Sequence, residues 1–342
     1  SNNKFKELTN ISLSSMPALT SLSMYLNDIF NISGEAFKYC PNLETLYLSH
    51  NNLFTLEART FSFTPKLRVI DLSDNHLHEI DDSLFSSLTE LQELFLANNN
   101  ILRISDHSFA NASKVSVIYL QNNEIQSIGS GALRKLENLF NLQLSSNNLE
   151  ELSRDLFSAT RSLSSLSLDN NKLTNLPDGL FSNLSHLKEL RLQNNRLRSV
   201  SANIFSPLTK LQELHLQGNA IDSIAKESLH KLESLQHLDL HGNKLKHLPD
   251  ALSRYPANLV SLKVSKNNIS SLHDDAFRDQ NKPDKLWLTD NHIPSVRKIV
   301  FSDMSALKQL HLDFNSIDFI EDNTFRNMKN LKILRLSHNK MK

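Results

Sequence analysis

Asparagine recurs at a fixed interval of 24 residues along almost the whole chain. The fourteen positions are Asn27, Asn51, Asn75, Asn99, Asn123, Asn147, Asn171, Asn195, Asn219, Asn243, Asn267, Asn291, Asn315 and Asn339. Copies of this length cannot bury an apolar face alone, so each has to stack on its neighbours. The spacing therefore predicts a single repeat array over residues 1–342, with about 14 repeats and no second domain.

The residues around each asparagine predict the structure of one repeat. The frame has the spacing L-x-x-L-x-L-x-x-N-x-L, as in Leu43, Leu46, Leu48, Asn51 and Leu53. Its L-x-L segment alternates apolar and polar residues, which is typical of a short strand with one buried face. The asparagine amide carries donors and an acceptor, so it can satisfy backbone groups in the turn after the strand. We expect stacked parallel strands followed by a ladder of asparagines.

A second column of large apolar residues stands ten residues after each asparagine. It comprises Phe37, Phe61, Phe85, Phe109, Leu133, Phe157, Phe181, Phe205, Leu229, Phe277, Phe301 and Phe325, interrupted by Ser253. Phenylalanine is bulky enough to fill the wider half of each repeat. Because Ser253 and Pro256, and then Gln280 and Pro283, stand where apolar residues are expected, the segment 253–283 should be the least regular. The only cysteine, Cys40, occupies a leucine slot and should be a buried hydrophobe.

Composition excludes several classes of function. Lysine and arginine total 37, and aspartate and glutamate also total 37. A neutral chain lacks the charge for general nucleic-acid binding or for an anionic membrane surface. No apolar run reaches the roughly 18 residues that insert into a membrane, and no signal peptide is present. The sequence starts and stops within a repeat, so we expect a truncated array whose terminal caps lie outside it.

The repeat at Leu173–Leu184 resembles the 24-residue typical class of leucine-rich repeat, as do the stretches 245–249 and 80–88. This resemblance implies an α/β-type repeat fold, a right-handed horseshoe-shaped solenoid with a concave parallel β-sheet and a mostly irregular convex side. It also implies an extracellular scaffold, secreted or on the cell surface, that binds a protein ligand or receptor. The unbroken spacing is more similar to chaoptin-type adhesion proteins than to Toll-like receptor ectodomains.

Five N-x-S/T sequons are candidates for glycosylation: Asn10, Asn31, Asn111, Asn183 and Asn268. Their number is about what the asparagine, serine and threonine content gives by chance. Asn111 and Asn183 fall in the expected convex segment, where a glycan would leave the sheet free. The sequons therefore permit secretion without establishing it.

Outward strand positions are free of core packing, so they are the candidate ligand-binding residues of a concave face. In the first third of the chain these positions are apolar and aromatic: Tyr25, Tyr47, Val69, Phe95, Val117 and Tyr119. Exposed aromatic residues of this kind often mark protein interfaces. The alternative is that outward aromatics only suit β-strands.

The later outward positions are polar and charged, with Arg191, His215, His237, Asp239 and Trp287 as further candidates. His237 and Asp239 lie two apart on one strand, about 6.6 Å, which is long for shared metal ligation. For these histidines a plain solvated face is the favoured interpretation, with a pH-sensitive contact and a metal site as the alternatives. We therefore expect no metal and no cofactor, and no catalytic residues either, because no nucleophile-elbow, phosphate-loop or metal motif is present.

Three functions compete at this point. The first is a non-enzymatic recognition or adhesion scaffold that binds a protein, with homophilic or dimeric contact as one form of it. The second is a pattern-recognition ectodomain of the Toll-like kind, against which net neutrality counts. The third is an intracellular leucine-rich repeat regulator, which glycans on the sequons would exclude.

Overall fold

The computed structural model describes residues 3–252, 258–278 and 282–341. It divides into two compact units, Ser1–Lys172 and Leu173–Lys342. Within the described residues there is no α-helix, and the two 3-10 helices, Asp250–Leu252 and Lys298–Phe301, both lie in the second unit. Almost all other described residues outside the strands form turns and irregular segments, as expected for the return side of each repeat.

The first unit contains seven three-residue strands in a parallel sheet. They are Ser21–Ser23, Thr45–Tyr47, Val69–Asp71, Glu93–Phe95, Val117–Tyr119, Asn141–Gln143 and Ser165–Ser167. Each residue pairs with the residue 24 positions further on, as in Leu46 with Ile70 and Ile70 with Leu94. Two-residue strands form two further parallel pairs, Glu7–Leu8 with Asn31–Ile32 and Arg103–Ile104 with Ser127–Ile128.

The second unit repeats this arrangement with seven more parallel strands. They are Glu189–Arg191, Glu213–His215, His237–Asp239, Ser261–Lys263, Lys285–Trp287, Gln309–His311 and Ile333–Arg335. Its two-residue pairs are Ser199–Val200 with Ser223–Ile224 and Ser295–Val296 with Phe319–Ile320. Both units are therefore stacks of 24-residue coils with a parallel sheet, which confirms the predicted solenoid fold.

The asparagines form the predicted ladder. The Asn51 Nδ2 group donates to the carbonyl of Leu48 in its own coil at 2.9 Å and to that of Met24 in the preceding coil at 3.0 Å. Its Oδ1 atom accepts from the backbone N–H of Ile29 at 3.0 Å. Because the same pattern recurs at Asn75, each amide joins two neighbouring coils and satisfies buried backbone groups in both.

The phenylalanine column forms the predicted second ladder. The rings of Phe37 and Phe61 are stacked with centroids 6.1 Å apart, and Phe61 and Phe85 repeat this distance. All of these rings are almost fully buried. Cys40 is also buried and unpaired, as predicted, and burial raises the pKa of its thiol.

A column of left-handed residues was not predicted from the sequence. The residue before each repeat asparagine has a positive φ, between 50° at Lys266 and 67° at Gly218. Asparagine, aspartate or glycine occupies most of these positions, and these residues adopt that conformation most readily. That residue preference was the available signal. Leu26 and Phe314 are bulky exceptions, and both are exposed.

The segment expected to be irregular is only partly described. Ser253, Tyr255, Pro256 and Gln280 lie outside the described residues, so that expectation stays a prediction. Within this segment, the Ser261–Lys263 strand is described, and it pairs with the strands before and after it in the usual register. Pro283 is buried in the first leucine slot of its repeat.

Candidate ligand-binding face

The alternation of residues along each strand sets the candidate site. The central residue of each three-residue strand points into the core, and Leu94, for example, has no exposed surface. The two flanking residues lie on the opposite side, which we call the outer sheet face; the repeat pattern predicts that this face is concave.

On the first unit, an aromatic pair lies at the centre of the outer sheet face. Phe95 and Tyr119 are register partners on neighbouring strands, and their rings meet edge to face with centroids 5.2 Å apart. Such pairs contribute about 0.5–1.5 kcal/mol beyond the area that they bury. The Tyr119 hydroxyl also accepts a 3.4 Å hydrogen bond from the Asn141 amide. Each ring is therefore held by contacts within the face, and both rings are half-buried, so part of their surface is accessible to a ligand.

The other predicted members of the aromatic cluster are more dispersed. Val69 and Val117 are half-buried on the outer sheet face, but both are register partners of Glu93, which lies between them. Two carboxylates therefore interrupt the cluster, because Asp71 likewise lies between Tyr47 and Phe95 in the next column. The apolar cluster predicted from the sequence is therefore divided by Asp71 and Glu93.

Tyr25 lies at the first coil of this face, just beyond the Ser21–Ser23 strand, and its side chain is 41% exposed. At the other end of the unit, Ser167 occupies the outward position of its strand but is buried, with 3% of its surface exposed. An outward strand position therefore does not always give an accessible side chain.

The outer sheet face of the second unit carries a connected row of charged and aromatic groups. Lys263 lies 3.2 Å from the Asp239 carboxylate and 5.7 Å from the centre of the Trp287 ring. Trp287 in turn stacks on His311, with ring centroids 5.6 Å apart and planes inclined by 21°. This geometry suits a cation–π contact on one side of the indole and aromatic stacking on the other.

His311 is the titratable group most affected by this environment. Burial lowers the pKa of its imidazole, and the positive charge of Arg335 lowers it further, while Asp313 acts in the opposite direction. Its Nε2 atom is buried and has no hydrogen-bond partner among the described residues. The ring therefore stays neutral at neutral pH.

The first two strands of this unit's face each carry a contact between a glutamate and a basic side chain two residues further on. Arg191 binds Glu189 at 2.6 Å, and the His215 Nε2 atom lies 3.2 Å from a Glu213 oxygen. Ligand atoms of Glu189, Glu213 and His215 all lie within 4.8 Å of one another. Within the described chain this is the only group of three or more such residues with metal-ligand spacing.

The histidines that the sequence singled out on one strand do not form a common site. His237 is exposed, and Asp239 binds Lys263 and accepts from the His241 backbone N–H at 3.0 Å. The sequence pattern indicated residues two apart on one strand. The structure instead brings together Glu189, Glu213 and His215 from two adjacent strands in register.

The predicted glycosylation sites differ in accessibility. Asn31, Asn111 and Asn268 are exposed, and Asn10 and Asn183 are half-buried. The Asn111 amide donates a 2.8 Å hydrogen bond to the carbonyl of Ser86. In the described residues there is no helix long and apolar enough to cross a membrane.

A leucine-rich repeat family model matches the chain seven times, at residues 17–77, 65–124, 113–172, 161–221, 209–257, 257–317 and 284–341. The chain belongs to the leucine-rich repeat family. Members of this family are typically binding scaffolds without catalytic activity. No curated protein matches the chain.

Several solved structures are similar to it. A leucine-rich repeat protein of Leptospira interrogans aligns with a TM-score of 0.83 and 25% identity, over 98% of this chain and 83% of the other. The Drosophila Toll–Spätzle complex aligns with a TM-score of 0.87 and 25% identity, over 99% of this chain but only 46% of the other. A complex of latrophilin 3, Unc5D and the leucine-rich repeats of FLRT2 aligns with a TM-score of 0.64 and 27% identity, over 74% of this chain and 76% of the other. The fold is thus shared with leucine-rich repeat proteins that were solved bound to other proteins.

Proposed function

We propose that the protein is a non-catalytic extracellular recognition scaffold that binds a protein ligand on the outer sheet face of its first unit. The observation that carries this proposal is the edge-to-face pair of Phe95 and Tyr119 at an outward position, where the repeat's own core does not need aromatic side chains. Tyrosine and other aromatic residues are enriched among the anchors of protein interfaces.

The neighbours of this pair define the chemistry of the ligand. Val69 and Val117 extend the apolar area, and Glu93 lies between them with Asp71 beside Phe95. Leaving apolar area wet is unfavourable by about 25 cal/mol per Å², which a partner recovers on binding. A partner with an apolar centre and basic residues around it would match both the rings and the carboxylates.

The Toll and FLRT2 structures support a protein ligand, because both were solved in complexes with other proteins. Localisation outside the cell is supported by the repeat class and by the exposed sequons at Asn31, Asn111 and Asn268. Expression in a secretory host followed by mass spectrometry tests this part. Absence of glycan from all three asparagines would remove the support that the sequons give to this localisation.

A photo-crosslinking side chain at Gln143, which is the register neighbour of Tyr119, tests the binding surface directly. We expect it to capture one discrete partner on the surface of producing or neighbouring cells. In the same background, Phe95→Ala should weaken binding by about 2 kcal/mol, roughly thirtyfold. If the partner is a second copy of this chain, sedimentation will show a dimer that Phe95→Ala dissociates.

The matched control is Phe54→Ala, which removes a phenylalanine that is 51% exposed but lies outside the sheet. It should leave both crosslinking and affinity unchanged. Equal crosslinking by the Phe95→Ala variant and the wild-type protein would show that this face is not the binding surface.

A further inference from the structure

Two glutamates face each other on the outer sheet face of the second unit. Glu189 and Glu213 are register partners on adjacent parallel strands. Like charges placed directly opposite on neighbouring strands destabilise a sheet. The sequence nevertheless keeps two carboxylates here, and the same strands also carry Arg191 and His215.

A histidine completes this group. One carboxylate oxygen from each glutamate and one ring nitrogen of His215 lie within 4.8 Å of one another. The side chains of Glu189, Glu213 and His215 are 28%, 44% and 23% exposed, so all three are partly desolvated but still accessible. A small cation between them could contact all three after minor side-chain adjustment.

Space for such an ion and its waters lies beside the group. A cavity of about 270 Å³ opens on the same face, and Glu213 and His215 form part of its wall. The rest of the wall is His237, Leu238, Asp239, Ser261 and Lys263. Glu213 and His215 are both partly exposed on this side, so an ion there would be accessible from the cavity.

We propose that Glu189, Glu213 and His215 form a binding site for a divalent transition-metal ion of the zinc type. One imidazole nitrogen and two carboxylate oxygens suit Zn²⁺ and its first-row neighbours, whereas Mg²⁺ and Ca²⁺ prefer all-oxygen sites. The ion would bind one oxygen of each carboxylate and one nitrogen of the imidazole, and water would complete its coordination. Three protein ligands with one open position differ from the closed four-ligand arrangement of a structural zinc site.

The existing contacts of Glu189 and Glu213 compete with the metal ion and so lower its affinity. Arg191 already binds Glu189 at 2.6 Å, so the ion has to compete with this guanidinium for the carboxylate. The hydrogen bond between His215 and Glu213 is replaced by two bonds to the metal. His215 has to be neutral to bind, so affinity falls when the imidazole is protonated.

Isothermal titration of the full chain with Zn²⁺ alone tests the proposal, with the visible absorption of bound Co²⁺ as a second readout. We expect saturable one-to-one binding that Mg²⁺ does not reproduce. His215→Ala and Glu213→Gln should each weaken Zn²⁺ binding by about tenfold or more, since even outer-shell partners of a metal are worth 10–100-fold. Removal of the imidazole should also shift the Co²⁺ spectrum.

The matched control is His186→Ala, which removes an exposed histidine of the same unit that lies beside Ser185. It should bind Zn²⁺ like the wild-type protein. Glu213→Gln keeps the size of the side chain, so it remains informative even if His215→Ala folds poorly. Wild-type affinity in Glu213→Gln, or the absence of saturable one-to-one binding in the unmodified chain, would overturn the proposal.

Discussion

At the scale of the residue, one amide side chain satisfies three backbone groups that the turn leaves inside the protein. Asn147 donates to the carbonyls of Leu120 and Leu144 at 2.9 and 3.1 Å, and accepts from the N–H of Ile125 at 3.0 Å. Its own surface is 6% exposed, so water cannot replace these bonds. The strict recurrence of asparagine follows from this requirement, because no aliphatic side chain can make the same bonds.

We therefore expect Asn147→Ala to lower the free energy of unfolding by about 3 kcal/mol, since each buried polar group left unpaired costs about 1–3 kcal/mol. Urea unfolding followed by circular dichroism measures this change. The control is Asn148→Ala, at a half-buried position next in sequence, which should cost less than about 0.5 kcal/mol. Equal losses in the two variants would contradict the role assigned to the ladder.

His311 makes stability depend on pH. Burial and the charge of Arg335 depress its pKa in the folded protein below the ordinary value of 6.5, so the unfolded chain binds the proton more readily. Stability is therefore unaffected above that value and is lost as the pH falls below it toward the folded pKa. We expect His311→Gln to be less sensitive to acid than the wild-type protein.

Unfolding in urea at neutral and at mildly acidic pH measures this difference. His338→Gln is the control, because that histidine is exposed and stacks on Phe314 at the surface. The assignment fails if His311→Gln loses as much stability on acidification as the wild-type protein does.

At the scale of the element, the phenylalanine column joins the return sides of successive coils. Phe85 lies between Phe61 and Phe109, with centroid distances of 6.1 and 6.3 Å, and is 1% exposed. Phe85→Ala should therefore cost about 3–5 kcal/mol through lost burial and the cavity left behind. Phe85→Leu should cost far less, because Leu133 and Leu229 occupy this column in other repeats.

Thermal unfolding of the two variants measures this contrast. Phe54→Ala provides the surface control, since its ring is 51% exposed and lies against His76 and His78 of the next coil. A loss for Phe54→Ala as large as that for Phe85→Ala would show that the column does not carry the packing energy.

Features that recur with the period could be predicted from the sequence, and features that depend on pairs of side chains could not. Leu94 and Asn99 follow the repeat frame, so their burial and the strand register were predictable. The contact of Phe95 with Tyr119, and that of Glu213 with His215, depends on the side-chain conformation adopted at each position. The repeat frame predicts on which face of the sheet a residue lies, but not which rotamer its side chain adopts or which side chain it contacts.

At the scale of the whole molecule, the repeat period continues unchanged across residue 172, where one compact unit ends and the next begins. Asn171 and Asn195 keep the 24-residue spacing, and the chain has only six glycines and nine prolines. The repeat frame therefore passes residue 172 without an inserted segment, which supports our proposal that residues 1–342 form a single array.

If this proposal holds, stacking of neighbouring coils continues across residue 172 and couples the unfolding of the two units. We expect a single calorimetric transition, and Phe85→Ala, although confined to the first unit, should lower protection from hydrogen exchange in the Glu213–His215 strand as well. Two independent domains would instead give two transitions, with only the first shifted by Phe85→Ala. Hydrogen exchange followed by mass spectrometry distinguishes these outcomes, because peptides from the two units report separately. Unchanged protection at Glu213–His215 beside a weakened first unit would show that cooperativity stops between the units, and that the 24-residue period does not by itself make one folding domain.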